Sequence, residues 1–313
     1  MNPYIKAQKM LLGVAIGDTF GREFENHNRE WIATHLVMDA YPSKECYYTD
    51  DTQMTIAVAE LMVTGLPFCK ESLAAFFMRA YHRDPRTGYS ALTMSQLTAG
   101  PDSESFLLSL SDEMRNKRQS DGAAMRALPI GLYPDVQDVI HSSYINAEST
   151  HGHPHAVAGS LGVAILAHGL YYNKIPYKHI IPYLLSIGTS HFPKDVMKHL
   201  ENLENKLVFS PEIILGHHNI SKGIPYEESL PFLGAVLSLI KHFGNCPNEV
   251  LKQAILLGGD TDTVAAVALG AALIIHPFTV LSSFLSDGLE SGAYGKDFII
   301  RLGTDLGRCY PVV

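Results

Sequence analysis

Apolar residues recur every three or four positions along most of this chain, the spacing of helices rather than strands. From Thr52 to Thr64 the residues Met54, Ala57, Val58, Leu61 and Met62 fall on one helical face, and Gly65 closes the run. Glu71 to Tyr81 repeats the pattern with Leu73, Phe76, Phe77 and Ala80 inward. Pro154 suits the first turn of a helix reaching Leu170, and its Gly- and Ala-rich body lets a neighbouring helix approach closely. Leu230–Phe243, Asn248–Leu257 and Thr263–Ile275 continue the series, with shorter candidates at Phe278–Leu285 and Lys296–Leu306. Loops are expected at 34–48, 82–90, 99–105, 115–122, 172–176 and 216–225. There is no β-α-β rhythm and no G-x-G-x-x-G after a strand. The reading is all-α: a compact orthogonal bundle of ten or more helices. No Gly/Ser- or Pro-rich linker divides it, so 1–313 reads as a single domain.

Composition narrows the function classes. Hydrophobic residues at 46% against 18% charged exclude a disordered chain. Lys plus Arg number 24 and Asp plus Glu 32, and the net charge of −8 leaves no basic face for general nucleic-acid binding. The longest apolar stretch, Val264–Ile275, is shorter than the roughly 20 residues a membrane span needs and reads as a buried core helix. Near the start, Gly17 and Asp18 cut the Met10–Ile16 run at the minimum length of a signal-peptide core. Cys46, Cys69, Cys246 and Cys309 are scattered, which gives neither a disulfide framework nor a cysteine zinc site and makes the reducing cytoplasm the expected compartment.

The chemistry concentrates in two acidic clusters, Thr49-Asp50-Asp51-Thr52 and Gly258-Gly259-Asp260-Thr261-Asp262-Thr263. Each leads directly into an apolar helix, so helix capping accounts for either one alone. Two together hold more acid than capping needs. Their carboxylates and hydroxyls form an all-oxygen donor set that suits Mg²⁺, Mn²⁺ or Ca²⁺ rather than zinc. If the fold joins the two helix starts, four carboxylates repel one another unless cations lie between them. A third acidic segment, Gly17 to Glu25, reads as a tight glycine-bearing path after the first helix, where Glu23 and Glu25 share a side if the chain is extended. His151, His153 and His155 form H-x-H-x-H, for which zinc is the sharp alternative. No other His/Cys pair shows ligand spacing, and the His217-His218 pair falls in a loop.

In order along the chain, G-D-T-F-G-x-x-x-E at 17–25, T-D-D-T at 49–52, D-G-A-A-M-R-A-L-P-I-G at 121–131, T-H-x-H-P-x-A at 150–156 and G-G-D-T-D-T at 258–263 resemble the ADP-ribosylglycohydrolases. The resemblance spans roughly residues 8 to 306. It implies an all-α fold with a central metal-binding cleft holding two divalent cations, Mg²⁺ or Mn²⁺. It implies metal ligands Thr49, Asp50, Asp51, Asp260, Asp262 and Thr263, with Glu25 near the scissile bond. The implied reaction removes ADP-ribose from a modified acceptor, arginine before serine or a small ADP-ribosyl substrate, by cleavage at C1 of the distal ribose. Metal-bound water is the implied nucleophile, and Glu25, Asp51 and Asp260 are the catalytic candidates. The residues do not separate ligand from base. A rival on the same fold is a non-enzymatic ADP-ribose-binding or structural protein.

By the same resemblance Gly122, Ala123, Met125 and His151 hold the rest of ADP-ribose. A helix starting near Ala123 would offer amides to the diphosphate, although a plain tight turn also fits. Arg126 is expected to pair with an internal carboxylate, while Arg115, Lys117 and Arg118 read as a solvated face. Three positions depart from the family pattern: no acid precedes Gly88, where Asp84 is the nearest substitute; Asp121 stands where asparagine is common; and 268–276 lacks a glycine-plus-tyrosine ending. An isoprenoid-synthase D-D-x-x-D motif fails because its fifth position is Met54, and the chain has no His-Asp dipeptide of the phosphohydrolase kind.

Overall fold

The computed structural model describes residues 4–41 and 46–312. Among them the chain forms seventeen α-helices and no named strand. The first half carries α1 (Ile5–Gly21), α2 (Arg29–His35), α3 (Asp50–Thr64) and α4 (Lys70–Arg83). It continues through the short α5 (Ala91–Leu97), α6 (Ser103–Leu108) and α7 (Asp112–Lys117) to α8 (Val136–Glu148) and α9 (Pro154–Tyr171). The second half holds α10 (Ile180–Gly188), α11 (Lys194–Glu204), α12 (Pro211–Leu215), α13 (Ser229–Phe243) and α14 (Pro247–Leu256). It ends with α15 (Thr261–Ile275), α16 (Ser283–Asp287) and α17 (Lys296–Cys309). No helix among the described residues is long and apolar enough to cross a membrane.

Helices α1, α9 and α15 are buried on every side over most of their length. A helix with no polar face belongs in the interior, and these three form the centre; the amphipathic α17 packs on α1, while the amphipathic α11 packs further out on α10 and α13. The closest contact is α1 against α15. Gly13, Gly17 and Gly21 recur every four residues and so share one face of α1. A Cβ on Gly13 would stand 2.9 Å from the Gly270 Cα, one on Gly17 would collide with the Ala265 carbonyl, and one on Gly21 would press on the Asp262 backbone. The two helix backbones therefore touch. The Thr261 hydroxyl seals the contact by donating to the Gly21 carbonyl at 2.7 Å.

Several local expectations change. Gly17 and Asp18 do not leave a helix for a loop; α1 continues to Gly21, because these glycines serve a helix contact rather than a turn. A 3₁₀ turn over Arg22–Phe24 follows, so Glu23 and Glu25 do not alternate along an extended segment. The stretch expected as helix at Phe278–Leu285 is helical only from Ser283; Phe278 and Val280 before it are exposed. The loops at 99–105 and 115–122 are partly helical: Asp102 caps α6 by accepting from Ser105 N–H at 2.9 Å, and Ser111 caps α7.

The α1–α15 contact can be tested by size. Gly17→Val should lower urea stability by about 1–3 kcal/mol or prevent folding. Gly292→Ala, where a Cβ meets nothing within 4 Å, should stay within about 0.5 kcal/mol of the parent.

Candidate metal and ADP-ribose site

The close packing of α1 on α15 puts Asp18, near the end of α1, beside the starts of α3 and α15. Asp18 is fully buried. Its Oδ1 accepts from the Thr49 amide (3.0 Å) and hydroxyl (2.9 Å), and its Oδ2 from the Thr52 amide (3.0 Å) and hydroxyl (2.5 Å). A carboxylate from another helix thus caps α3. Thr49 occupies the N-cap position, yet its side chain makes no capping bond. The same holds for Asp260 at the N-cap of α15. Self-capping therefore does not explain these aspartates, and most of their carboxylate oxygens are left for something else.

Asp18, Asp51 and Asp262 each offer a carboxylate oxygen, and these lie within 4.8 Å of one another. Asp51, Asp260, Asp262, Thr49 and Thr263 are all buried. Asp51 Oδ1 is shielded from solvent and has no hydrogen-bond partner among the described residues. Thr49 Oγ1 lies 3.3 Å from Asp51 Oδ2, and Thr263 N–H donates to Asp262 Oδ1 at 3.1 Å. Asp50 is half-buried against the loop after α4: its amide donates to the Thr87 carbonyl, and Gly88, with φ +102, leaves no Cβ to strike its carboxylate.

The second cluster is held by backbone. Gly258 and Gly259 have φ of +70 and +74, which lets the chain turn sharply into α15. Ile224 N–H donates to the Gly258 carbonyl and the Ile224 carbonyl accepts from Asp260 N–H, both at 2.9 Å, a parallel bridge. Asn26 N–H donates to the Gly259 carbonyl at 3.1 Å, which fixes the neighbouring Glu25 relative to Asp260.

Burial raises the pKa of Asp50, Asp51 and Asp262 well above the carboxylate range, and the surrounding aspartates raise it further. Glu25 rises for the same reasons, burial first and Asp260 second. Buried, unpartnered, mutually repelling oxygens are the environment a hard divalent cation stabilises. The residues present fit Mg²⁺ or Mn²⁺. Asp18 already accepts bonds from Thr49 and Thr52 on both of its oxygens, so it fixes the start of α3 that carries Asp50 and Asp51. It lies within the quoted G-D-T-F-G motif, but nothing in the sequence indicates that role.

Asp121 does not face a diphosphate. It is buried and hydrogen-bonded to Asp260, which with burial raises its pKa well above the carboxylate range. Its Oδ2 has no hydrogen-bond partner among the described residues. Asp121–Ala123 is one 3₁₀ turn rather than an α-helix start, and its carbonyl at Asp121 already takes the Ala124 and Met125 amides. Ala123 and Met125 are buried in the interior. Gly122 lies under the His151 ring, whose Cε1 would stand 3.0 Å from a Cβ there. His151 bonds Ser120 Oγ at 2.9 Å and Thr150 Oγ1 at 2.8 Å, and burial beside Arg118 and Arg126 keeps it neutral.

Arg126 is buried, and among the described residues it has no carboxylate partner. It donates to the Asn146 side chain and carbonyl, the Gly122 carbonyl and the Thr150 hydroxyl, and so braces this turn from behind. Burial lowers its pKa to about 9, which still leaves it charged at neutral pH. Arg118 is buried too, on Gln96, Thr93 and Thr150, and Arg115 bonds the Leu107 and Leu110 carbonyls; only Lys117 is on a solvated face. H-x-H-x-H does not converge: His153 caps α9 and His155 pairs with Asp195 at 2.7 Å. Asp84 is held by Arg86, which also grips Glu290, so it does not supply a free acid near Gly88.

Residues 2–306 match the model of a family described as ADP-ribosylglycohydrolase. The chain is similar to ADP-ribosylhydrolase ARH3 of Xenopus tropicalis, at 26% identity over 85% of each protein. ARH3 of Homo sapiens shares 26% over 82% of each, and the uncharacterized protein YegU of Escherichia coli (strain K12) shares 24% over 90% of each. Among solved structures it resembles an ADP-ribosylglycohydrolase-related protein complex, with a TM-score of 0.73 over 99% of both chains. At 18% identity that likeness bears on the fold alone.

Two tests follow from the geometry. Asp18→Asn should weaken Mn²⁺ binding about 10–100-fold by calorimetry while helical content is kept. The raised carboxyls ionise near pH 4 in the unfolded chain, so the stability they confer is complete below about pH 4 and lost as pH rises through their higher folded values. Metal-free protein should therefore lose urea stability as pH rises above about 4, Asp51→Asn should flatten that loss, and Mn²⁺ should restore stability most at the higher pH.

Proposed function

The chain belongs to the ADP-ribosylglycohydrolase family and is an ADP-ribosyl hydrolase, and we propose that it frees ADP-ribose from a mono-ADP-ribosylated protein side chain. One observation carries the reading. Two helix starts far apart in sequence meet, and the carboxylates there are buried, uncapped and in part unpartnered. In this proposal Thr49, Asp50, Asp51, Asp260, Asp262 and Thr263 hold two divalent cations, Mg²⁺ or Mn²⁺. Bound there, the cations would supply positive charge to fix the ribose hydroxyls and acidify water.

The chain's own residues do the rest. Glu25, half-buried and locked beside Asp260 through Asn26, is placed to take a proton from attacking water at its carboxylate. Asp18 holds Thr49 and Thr52 so that Asp50 and Asp51 face inward. Neutral His151 over Gly122, its two ring nitrogens held by Ser120 and Thr150, offers its ring as a wall for the remainder of ADP-ribose. Cleavage at C1 of the distal ribose passes through an oxocarbenium-like state, which nearby carboxylates favour. Once bound cations ionise them, the six carboxylates of Asp18, Asp50, Asp51, Asp260, Asp262 and Glu25 would still outweigh the charge of two divalent ions, while Asp121 keeps the proton it shares with Asp260. That residual negative charge supports arginine over serine as the acceptor. We take the whole of 1–313 to act as one domain, with the cytoplasm as its expected compartment.

The assay is ADP-ribose release from ADP-ribosylated arginine and serine peptides in parallel, with Mg²⁺, Mn²⁺ or EDTA. Release should require the metal, be faster from arginine, and fall by at least about a hundredfold in Asp260→Ala. Metal-independent release, or an Asp260→Ala variant as active as the parent, would refute the site. Faster release from serine would refute the acceptor alone.

A further inference from the structure

Away from the aspartate centre, His217, His218 and Glu228 each offer one ligand atom, all within 4.8 Å of one another. His217 and His218 are adjacent in sequence, and Gly216, at φ +58, turns the chain out of α12 to present them. Their rings lie 4.1 Å apart between centroids. His218 Nε2 is 3.3 Å from Glu228 Oε2 and shielded from water, yet it makes no hydrogen bond. A tetrahedral ion with bonds of about 2.0–2.1 Å sets neighbouring donors about 3.3 Å apart, so this spacing suits a shared ion better than a hydrogen bond. Glu228 is also at the N-cap of α13 without capping it. Its carboxylate is turned toward the imidazoles instead of the helix amides.

We propose that His217, His218 and Glu228 form a transition-metal site that takes Zn²⁺ and clasps the segment between them. Imidazole with one carboxylate selects Zn²⁺ and its neighbours over Mg²⁺, which prefers oxygen alone. With three protein donors, water completes the coordination. The site is distinct in chemistry from the all-oxygen centre.

The clasped segment reaches the second aspartate cluster. Ile224, midway along it, brackets Gly258 and Asp260 through its amide and carbonyl, and Ser221 accepts from Arg29 N–H at 3.1 Å. An ion at its two ends removes conformational freedom from the loop that these backbone bonds tie to the second aspartate cluster. Zn²⁺ occupancy thereby stiffens the backbone that positions Asp260, without touching the carboxylate ligands.

The test uses the full chain with Mg²⁺ in large excess to hold the carboxylate centre. Zn²⁺ is titrated by calorimetry, and Co²⁺ is added separately for its visible absorption. The parent should bind one further Zn²⁺ and show the intense bands of tetrahedral Co²⁺. His217→Ala with His218→Ala, and separately Glu228→Gln, should weaken that binding at least about tenfold. Lys222 is exposed within the loop, so trypsin cleavage there should slow on adding Zn²⁺ to the parent and not to the double variant. Two results would overturn the proposal: no Zn²⁺ uptake under excess Mg²⁺, or uptake that survives in the double variant and is lost in Asp51→Asn. The second outcome would place the ion among the aspartates.

Discussion

The contact between α1 and α15 is what the rest of the site depends on. Helices usually lie 8–10 Å apart because side chains stand between them. Here Gly13, Gly17 and Gly21 remove those side chains along one face of α1, and Gly270 removes one from α15. The gain is positional as much as energetic. Asp18 comes close enough to α3 to hold Thr49 and Thr52, and Asp262 close enough to α1 to join Asp51. A wider crossing would separate these aspartates.

That geometry gathers carboxylates where water is scarce. Burial and mutual repulsion both favour the protonated form, and each group's raised pKa expresses the strain. The strain persists because the surroundings are over-determined. Arg126 ties the turn at Gly122 to Asn146 and Thr150, and Arg86 ties the loop beside Asp50 to Glu290. Both guanidiniums lie just outside the acidic centre and do not neutralise it. Among the described residues Arg22 acts on Glu25, last among its influences, so most of the balancing positive charge would be left to bound cations.

Much of this was legible in the residues. Apolar periodicity located α3, α4, α9, α13, α14, α15 and α17 to within a few residues, since burial of one face or of all faces leaves that mark whatever the neighbours are, but it gave no bounds for α1 and passed over α8 and α11. The two aspartate clusters stood out because they carry more acid than caps need, and the structure joins Asp51 to Asp262. What escaped the reading depends on partners distant in sequence. Gly17 looks like a helix end until Ala265 is set against it. Arg118 looks solvated until Gln96 and Thr150 surround it. The role of Asp18 is invisible without α3 beside it. Asp102 and Ser111, by contrast, were readable local signals for α6 and α7 in segments assigned to loops.

The hydrogen bond from Thr261 to Gly21 spans 240 residues of chain. A ribosome adds about 5–20 residues each second, so one half of the aspartate cluster emerges tens of seconds before the other. During that interval the largely apolar α1 lacks its main burial partner. The same long-range closure makes assembly of the cluster an all-or-none property of translation: a chain stalled before α15 has Asp18, Asp50 and Asp51 but lacks Asp262 to join them.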